Sequence, residues 1–125
     1  MHRDLKGENI IICQNGYIKL IDFGLSTILR PGERSGQYVG TPEYMAPEIL
    51  NRQNRQYDKA VDWWAVGILI FELYFGFTPF ISNRREILNH NILHAKPAFR
   101  SRTAKYDYSD EFVDIIQKLL KKDAT

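Results

Sequence analysis

The sequence predicts a mainly α-helical domain with one small β-hairpin at its front edge. Two short isoleucine-rich runs within Ile10–Asp22, separated by Asn15-Gly16, indicate the hairpin. An Asn-Gly pair between apolar runs is a strong hairpin signal, because both central residues of a type I′ turn need positive φ. A long apolar run from Lys59 to Phe75 and a periodic apolar pattern near the C-terminal end indicate helices.

The predicted hairpin brings oxygen-bearing side chains together. A two-residue turn at positions 15 and 16 pairs residues whose numbers sum to 31, which sets Asn9 opposite Asp22. Directly paired residues have Cβ atoms about 4.5–5.5 Å apart, so an amide oxygen and a carboxylate at this spacing can share a hard cation such as Mg²⁺. Asp4 lies five residues before Asn9 and is expected to face the same space.

Helical segments are expected along the rest of the chain. Residues Ser26–Gly40 predict a polar surface loop, and a short helical turn is expected near Glu48–Asn51. The apolar run predicts a buried helix over Lys59–Phe75, and a weaker pattern marks Asn83–Leu93. Ser109 is the expected N-cap of the last helix. The core-facing side of that helix is expected to carry Phe112, Ile115, Ile116, Leu119 and Leu120.

Composition excludes several classes of protein. The chain has 125 residues, enough for one domain, and 44% of them are hydrophobic, which argues against disorder. Its formal charge of +2 is too close to zero to indicate nucleic acid or an anionic membrane as a partner. The single cysteine, Cys13, fits a reducing compartment. Without an N-terminal signal-peptide pattern or a membrane span, we expect an intracellular, cytoplasmic protein.

Three short clusters carry the chemistry: His2-Arg3-Asp4-Leu5-Lys6-Gly7-Glu8-Asn9, Asp22-Phe23-Gly24 and Ala46-Pro47-Glu48. The first matches the catalytic-loop signature of protein kinases position by position, and the second matches their metal-binding motif. The segments Gly40–Glu48 and Val61–Ala65 are similar to those of serine/threonine kinases of the cyclic-nucleotide-dependent (AGC) group. Residues 1–125 therefore resemble a partial kinase domain, the C-terminal lobe from its catalytic loop through the penultimate helices. The partial α+β kinase fold is the fold that this resemblance implies.

The resemblance implies roles for individual residues. Asp4 matches the catalytic aspartate, which accepts the proton of the substrate hydroxyl, and Lys6 matches the lysine that contacts the transferred phosphate. Asn9 and Asp22 match the ligands of Mg²⁺, in agreement with their predicted pairing across the hairpin. The cofactors implied are ATP and Mg²⁺. The cofactor-binding set is Lys6, Glu8, Asn9 and Asp22.

Further positions match the substrate site and the activation segment. Thr41 matches the residue that approaches Asp4 and Lys6 and favours a serine or threonine substrate over tyrosine. Glu8 matches a position that meets a basic residue upstream of the phosphorylated one, so the expected partners are proteins with such Ser/Thr sites. Regulatory subunits or an upstream kinase are further partners that the resemblance allows. Arg3 matches the acceptor of an activation-loop phosphate. The expected structural anchors are His2, Glu48 and Asp62.

The chain also departs from the family pattern. It contains no Gly-rich loop and no strand lysine for the nucleotide phosphates, so we expect the chain alone to be inactive. The chain stops before the arginine that pairs with the glutamate matched by Glu48. The position of the phosphorylated threonine is occupied by Gln37, so Ser35 or Tyr38 is expected to substitute, with Arg3 as the partner of the new charge.

These observations predict a serine/threonine protein kinase that transfers phosphate from ATP to protein Ser/Thr in its full-length form. This chain is expected to be a piece of that enzyme. The alternative is a non-catalytic lobe that acts as a scaffold or competes for kinase substrates and regulators. A third hypothesis is a kinase-like lobe that another chain completes.

Overall fold

The computed structural model describes residues 1–103 and 105–123 of the chain. The predicted fold class is confirmed: helices dominate, and the one sheet among the described residues has two antiparallel strands. The strands are β1 (Ile10–Ile12) and β2 (Ile18–Leu20), and the helices are α1 (Pro47–Leu50), α2 (Ala60–Phe75), α3 (Arg85–His94) and α4 (Asp110–Leu119). Two short 3₁₀ turns, Gly7–Asn9 and Pro42–Tyr44, complete the elements.

The hairpin forms where it was predicted, but the predicted register is wrong by one residue. Ile10 pairs with Leu20 and Ile12 with Ile18, so paired residues sum to 30. Asn9 therefore lies opposite Ile21, whose N–H donates to the carbonyl oxygen of Asn9 at 3.0 Å. A type I′ turn would have paired Asp22 directly with Asn9. In the structure Asp22 lies one residue beyond Ile21, the actual partner of Asn9.

The reason for the shifted register lies in the backbone of the turn. A type I′ turn needs positive φ at both central residues, but only Gly16, at φ 82°, has it here, and Asn15 does not. The N–H of Gly16 donates to the carbonyl of Cys13 at 2.9 Å, and the N–H of Cys13 donates to the carbonyl of Tyr17 at 2.8 Å. The loop thus has three residues and ends on a left-handed glycine, which is the next most common hairpin geometry.

Helix α2 is the central element of the fold and forms within one residue of its prediction. Its start is fixed by Asp58, whose carboxylate accepts the N–H of Ala60 at 2.9 Å. It ends at Gly76, which has φ 84° and donates its N–H to the carbonyl of Glu72 at 2.7 Å. A glycine in the left-handed conformation is a common helix stop, because a side chain makes that conformation sterically unfavourable. No helix among the described residues is long and apolar enough to cross a membrane.

Helix α2 packs closely against α4. A Cβ placed on Gly67 would lie 2.8 Å from Cβ of Leu119 and 2.9 Å from Cδ2 of Leu120, so the two helices approach too closely for a larger residue. Ser109 caps α4 as predicted by accepting the N–H of Phe112 at 3.2 Å. Of the predicted apolar face of α4, Ile116 and Leu120 are buried, but Ile115 is 49% exposed.

Lys122 follows α4 and lies against aromatic rings. Its Nζ is 4.0 Å from the ring centre of Phe80 and 5.0 Å from that of Trp64, and it donates to the carbonyl oxygen of Ile92 at 2.7 Å. Burial lowers the pKa of the Lys122 ammonium to about 8. The folded protein therefore binds a proton at Lys122 less tightly than the unfolded chain does.

This difference predicts a pH dependence of stability. Between about pH 8 and the ordinary lysine value of 10.5, the unfolded state binds more protons at Lys122, so the free energy of unfolding contributed by this residue rises with pH. Lys122→Met fills a similar volume and carries no proton. We expect the difference in unfolding free energy, wild type minus Lys122→Met, to increase from pH 7.5 to pH 10 in urea denaturation. A difference that is flat or falls over this range would contradict the prediction.

Candidate active site

The loop before the hairpin is held in place by Asp62, at the start of α2. The carboxylate of Asp62 accepts two backbone N–H groups, from His2 at 2.7 Å and from Arg3 at 2.8 Å. Arg3 has a positive φ of 71°, a conformation that costs a non-glycine residue about 1–3 kcal/mol and persists where surrounding contacts hold it. Asp62 thus provides the contact that keeps the turn immediately before Asp4 in place.

His2 is buried behind this loop. Its Nδ1 accepts the N–H of Asp4 at 3.3 Å, so its Nε2 carries the proton and donates to the carbonyl oxygen of Ile21 at 3.1 Å. The His2 ring also contacts the edge of Phe23, with ring centres 5.0 Å apart. His2 therefore links the loop to the end of the hairpin.

The centre of the site is a triangle of Asp4, Lys6 and Thr41. The hydroxyl of Thr41 donates to Oδ1 of Asp4 at 2.6 Å, and Nζ of Lys6 donates to Oγ1 of Thr41 at 2.8 Å. Nζ of Lys6 also lies 3.5 Å from Oδ2 of Asp4. The fold thus brings a carboxylate, an ammonium group and a hydroxyl into mutual contact from positions 37 residues apart.

The electrostatics of the triangle favour an ionised Asp4. Burial by itself raises the pKa of the Asp4 carboxyl, but the hydrogen bond from Thr41 and the charge of Lys6 outweigh burial and hold the pKa below 3.8. Asp4 is therefore a carboxylate at neutral pH and can accept a hydrogen bond from a hydroxyl group. The side chain of Asp4 is only 13% exposed, so a hydroxyl group bound to it would be partly shielded from solvent.

Asn9 extends the triangle toward the hairpin. Its Nδ2 donates to the backbone carbonyl of Asp4 at 2.8 Å and to Oδ2 of Asp4 at 3.2 Å. This network assigns the amide orientation, so Oδ1 is the atom of Asn9 that remains to accept a cation. Asn9 is buried, and its side chain is held in place by its position at the end of the turn Gly7–Asn9.

Asp22 follows the second strand at the same open end of the hairpin as Asn9, and it is exposed. It has a positive φ of 58°, and its Oδ1 accepts the N–H of Gly24 at 3.2 Å. Asp22 and Asn9 offer one carboxylate and one amide oxygen, which are hard ligands of the kind Mg²⁺ takes when substrate phosphates supply the others. Among the described residues, no group of three His, Cys, Asp or Glu side chains is positioned to hold a metal without such help. The donor set therefore fits a magnesium–nucleotide complex.

Gly40 is a site residue that no sequence pattern marked as functional. It has φ 117°, and a Cβ on it would lie 2.7 Å from the carbonyl oxygen of Arg3. Any side chain at this position would push the segment that carries Thr41 away from the loop that carries Asp4. Gly40 thus permits the contact at the centre of the triangle.

A second missed feature is an acidic cleft beside Thr41. Its lining includes three carboxylates and one guanidinium group, together with Tyr44: Glu8, Glu43, Glu72 and Arg85. The hydroxyl of Tyr44 donates to Oε2 of Glu72, and burial together with this bond raises the pKa of Tyr44. Only Glu8 was predicted as part of a substrate site, because residues 43 and 72 meet through tertiary packing. Glu8 lies in this cleft beside Thr41, and its substrate role and its cofactor role both stay predictions.

Arg3 contacts the activation segment through its guanidinium group. Nη1 donates to Oε1 of Gln37 at 2.7 Å and lies 3.4 Å from Oγ of Ser35, while Nε donates to the carbonyl oxygen of Leu25. The hydroxyl of Tyr38 instead accepts a hydrogen bond from Arg85. Of the two hydroxyls predicted to substitute for the missing threonine, Ser35 is the one beside Arg3.

Glu48 lies half-buried in α1. Burial raises the pKa of its carboxyl, and the carboxylates of Asp58 and Asp123 add to this effect. Within residues 1–103 and 105–123, no Lys or Arg nitrogen lies within 4 Å of the Glu48 carboxylate. Its predicted role as an anchor through an arginine thus has no partner among these residues.

Comparison with known proteins identifies the family. The family model described as protein kinase domain matches residues 1–125. The chain belongs to the protein kinase domain family. It is 42% identical over 125 residues to the cAMP-dependent protein kinase catalytic subunit PRKX of Mus musculus, covering 100% of this chain and 33% of that protein. It is 38% identical over 126 residues to the serine/threonine-protein kinase Sgk1-A of Xenopus laevis, covering 100% of this chain and 27% of the relative.

A third relative is the putative ribosomal protein S6 kinase alpha-2 of Caenorhabditis elegans, which is 40% identical over 128 residues, covering 98% of this chain and 16% of the relative. The resemblance to AGC-type serine/threonine kinases is thereby confirmed. The chain spans a third or less of the length of these relatives. Kinases of this family generally use ATP and Mg²⁺.

Proposed function

We propose that residues 1–125 supply the catalytic loop and substrate-binding lobe of a serine/threonine protein kinase. The observation that carries this proposal is the triangle of Asp4, Lys6 and Thr41, in which an ionised carboxylate lies beside an ammonium group and a hydroxyl. This arrangement suits transfer of a phosphoryl group to an alcohol, because such reactions depend mainly on positioning and on stabilising charge.

The described residues have distinct tasks in the proposed reaction. Asp4 orients the substrate hydroxyl and accepts its proton as the hydroxyl oxygen forms a bond to the γ-phosphorus of ATP. The bond from that phosphorus to the bridging oxygen breaks, and ADP is the leaving group. Lys6 stabilises the negative charge on the transferred group, and Asn9 holds Asp4 through two hydrogen bonds. Asn9 and Asp22 would hold Mg²⁺, which neutralises charge on the nucleotide phosphates.

The surroundings of the triangle indicate the class of substrate. Thr41 and Lys6 occupy the space beside Asp4 in a way that suits a short aliphatic hydroxyl of serine or threonine. Three carboxylates, Glu8, Glu43 and Glu72, outnumber the one cation, Arg85, in the lining of the adjacent cleft, and the excess negative charge favours a protein segment with basic residues near the phosphorylated one. We therefore propose proteins with basic Ser/Thr sites as substrates of this kinase, in a cytoplasmic setting.

The proposed activity requires a nucleotide-binding lobe in addition to residues 1–125. The sequence contains no Gly-rich loop, and apolar side chains of the hairpin lie on the surface, among them Ile12 at 77% exposure and Tyr17 at 73%. Large exposed apolar side chains grouped on one element indicate a surface that another structure covers. We infer that the hairpin packs against such a lobe when the enzyme is active.

The test compares the 125-residue chain with a chimaera. In the chimaera, residues 1–125 replace the aligned segment of the mouse PRKX catalytic subunit, so that the rest of the relative supplies the nucleotide-binding lobe. We expect transfer of radiolabelled phosphate to a basic serine peptide to stay at background for the chain alone and to be readily measured for the chimaera. A folded but inactive chimaera would contradict the proposal and favour the scaffold alternative. Transfer by the chain alone would contradict the requirement for a second lobe.

A further inference from the structure

The side chain of Arg3, on the catalytic loop, contacts the segment that follows Asp22 at three places. Its guanidinium donates to Gln37, to Ser35 and to the carbonyl oxygen of Leu25, and all of these acceptors are uncharged. Within the part of the chain that the structure describes, no carboxylate lies within 4 Å of the Arg3 guanidinium group. The shorter of its two side-chain contacts is with Oε1 of Gln37, at 2.7 Å.

The backbone around Gln37 is fixed by a different set of contacts. Ser35 and Tyr57 exchange two backbone hydrogen bonds, at 2.8 and 3.0 Å, and the hydroxyl of Tyr57 donates to the carbonyl oxygen of Gln37 at 2.7 Å. Tyr57 is 1% exposed, so this support comes from the core. Gln37 itself is exposed, and its side-chain amide oxygen directly faces the Arg3 guanidinium.

From these contacts we propose that Gln37 is a positioning residue, an uncharged tether that holds Arg3, and with it the loop carrying Asp4, without phosphorylation of the segment. The amide oxygen of Gln37 and Oγ of Ser35 both lie beside Nη1 of Arg3, so Gln37 gives this guanidinium an uncharged partner where a phosphate on Ser35 would supply a charged one. The segment is therefore ordered around Arg3 in the unmodified chain, and phosphorylation of Ser35 or Tyr38 is dispensable for this order.

The tether on Arg3 also positions Asp4 for catalysis, because the two residues are adjacent in the chain. Arg3 lies directly before Asp4 and is held in its left-handed conformation by Asp62 on the backbone side and by Gln37 on the side-chain side. This consequence rests on the proposed kinase function, but the tether itself is a property of the folded chain. It is therefore tested without any measurement of phosphate transfer.

The experiment uses the 125-residue chain produced in bacteria and shown by intact mass to carry no phosphate. In nuclear magnetic resonance spectra of arginine-labelled protein, we expect Nη signals of Arg3, assigned with Arg3→Lys, that are resolved because rotation of the guanidinium is hindered. Gln37→Ala removes the acceptor and is expected to average these signals. Gln37→Glu keeps an acceptor oxygen at the same place and is expected to restore them.

Limited proteolysis gives an independent measurement. Trypsin cleavage after Arg34, in the tethered segment, is expected to be roughly 2- to 10-fold faster in Gln37→Ala than in Gln37→Glu or the wild type, as the loss of one hydrogen bond implies. Gln117→Ala changes an exposed glutamine on α4 and is the matched control, with wild-type behaviour expected. Equal cleavage rates in Gln37→Ala and Gln37→Glu, or averaged Arg3 signals in the unphosphorylated wild type, would overturn the proposal.

Discussion

Replacement of Asp4 by asparagine is expected to lower phosphate transfer by the chimaera about 10²- to 10⁴-fold, the usual contribution of a general base. The carboxylate of Asp4 is ionised at neutral pH because Thr41 and Lys6 hold its pKa low, so it is ready to accept the substrate proton. An asparagine side chain has nearly the same shape but cannot take up that proton. Initial rates of peptide phosphorylation at saturating ATP and peptide measure the effect directly.

Asp114→Asn is the matched control for this variant. It makes the same chemical change on the exposed side of α4, where Asp114 pairs with Lys118 at 2.7 Å. Surface pairs of this kind contribute little, so the rate should stay within about twofold of the parent. An Asp4→Asn variant that is folded and as active as Asp114→Asn would remove Asp4 from the proposed mechanism.

Replacement of Phe71 by alanine is expected to lower the free energy of unfolding by about 3–5 kcal/mol. Phe71 is fully buried in α2, and its ring contacts Phe75 at 4.5 Å, Phe77 at 5.9 Å and Phe99 at 5.7 Å between ring centres. Removal of this ring leaves a cavity among neighbours that have few ways to close it. Urea denaturation followed by circular dichroism measures the loss, which is a large part of the stability of a domain of this size.

Trp63→Ala tests whether the loss depends on burial rather than on aromatic size. Trp63 lies on the same helix, α2, but is 61% exposed. We expect its replacement to change the free energy of unfolding by less than about 1 kcal/mol. Similar losses in Trp63→Ala and Phe71→Ala would show that the aromatic cluster around Phe71 is not the centre of the core.

The shifted register of the hairpin shows where local patterns stop being informative. Asn15-Gly16 correctly predicted a turn, because both residues favour turns over strands. The same dipeptide is compatible with a two-residue loop or a three-residue loop, and the choice depends on whether Asn15 takes positive φ. Here only Gly16 does, so every predicted pair moved by one residue and Asp22 lost its direct pairing with Asn9.

Gly67 is a similar case within a helix. A glycine in a helix interior costs about 1 kcal/mol relative to alanine, and the sequence by itself offers no reason for that cost. The structure supplies the reason, since α4 approaches α2 at this point and leaves no room for a Cβ beside Leu119 and Leu120.

The sequence by itself determined the order of the elements, the limits of α2, the N-cap at Ser109 and the motifs that identify a kinase domain. These features depend on residues within one or two turns of each other, which a local pattern contains completely. Tertiary structure alone decided that Thr41 contacts Asp4, that Glu43 and Glu72 join Glu8 in one cleft, and that Gln37 binds Arg3. These partners are about 30 or more residues apart in the chain, and only packing around α2 brings their polar atoms within hydrogen-bond or charge range.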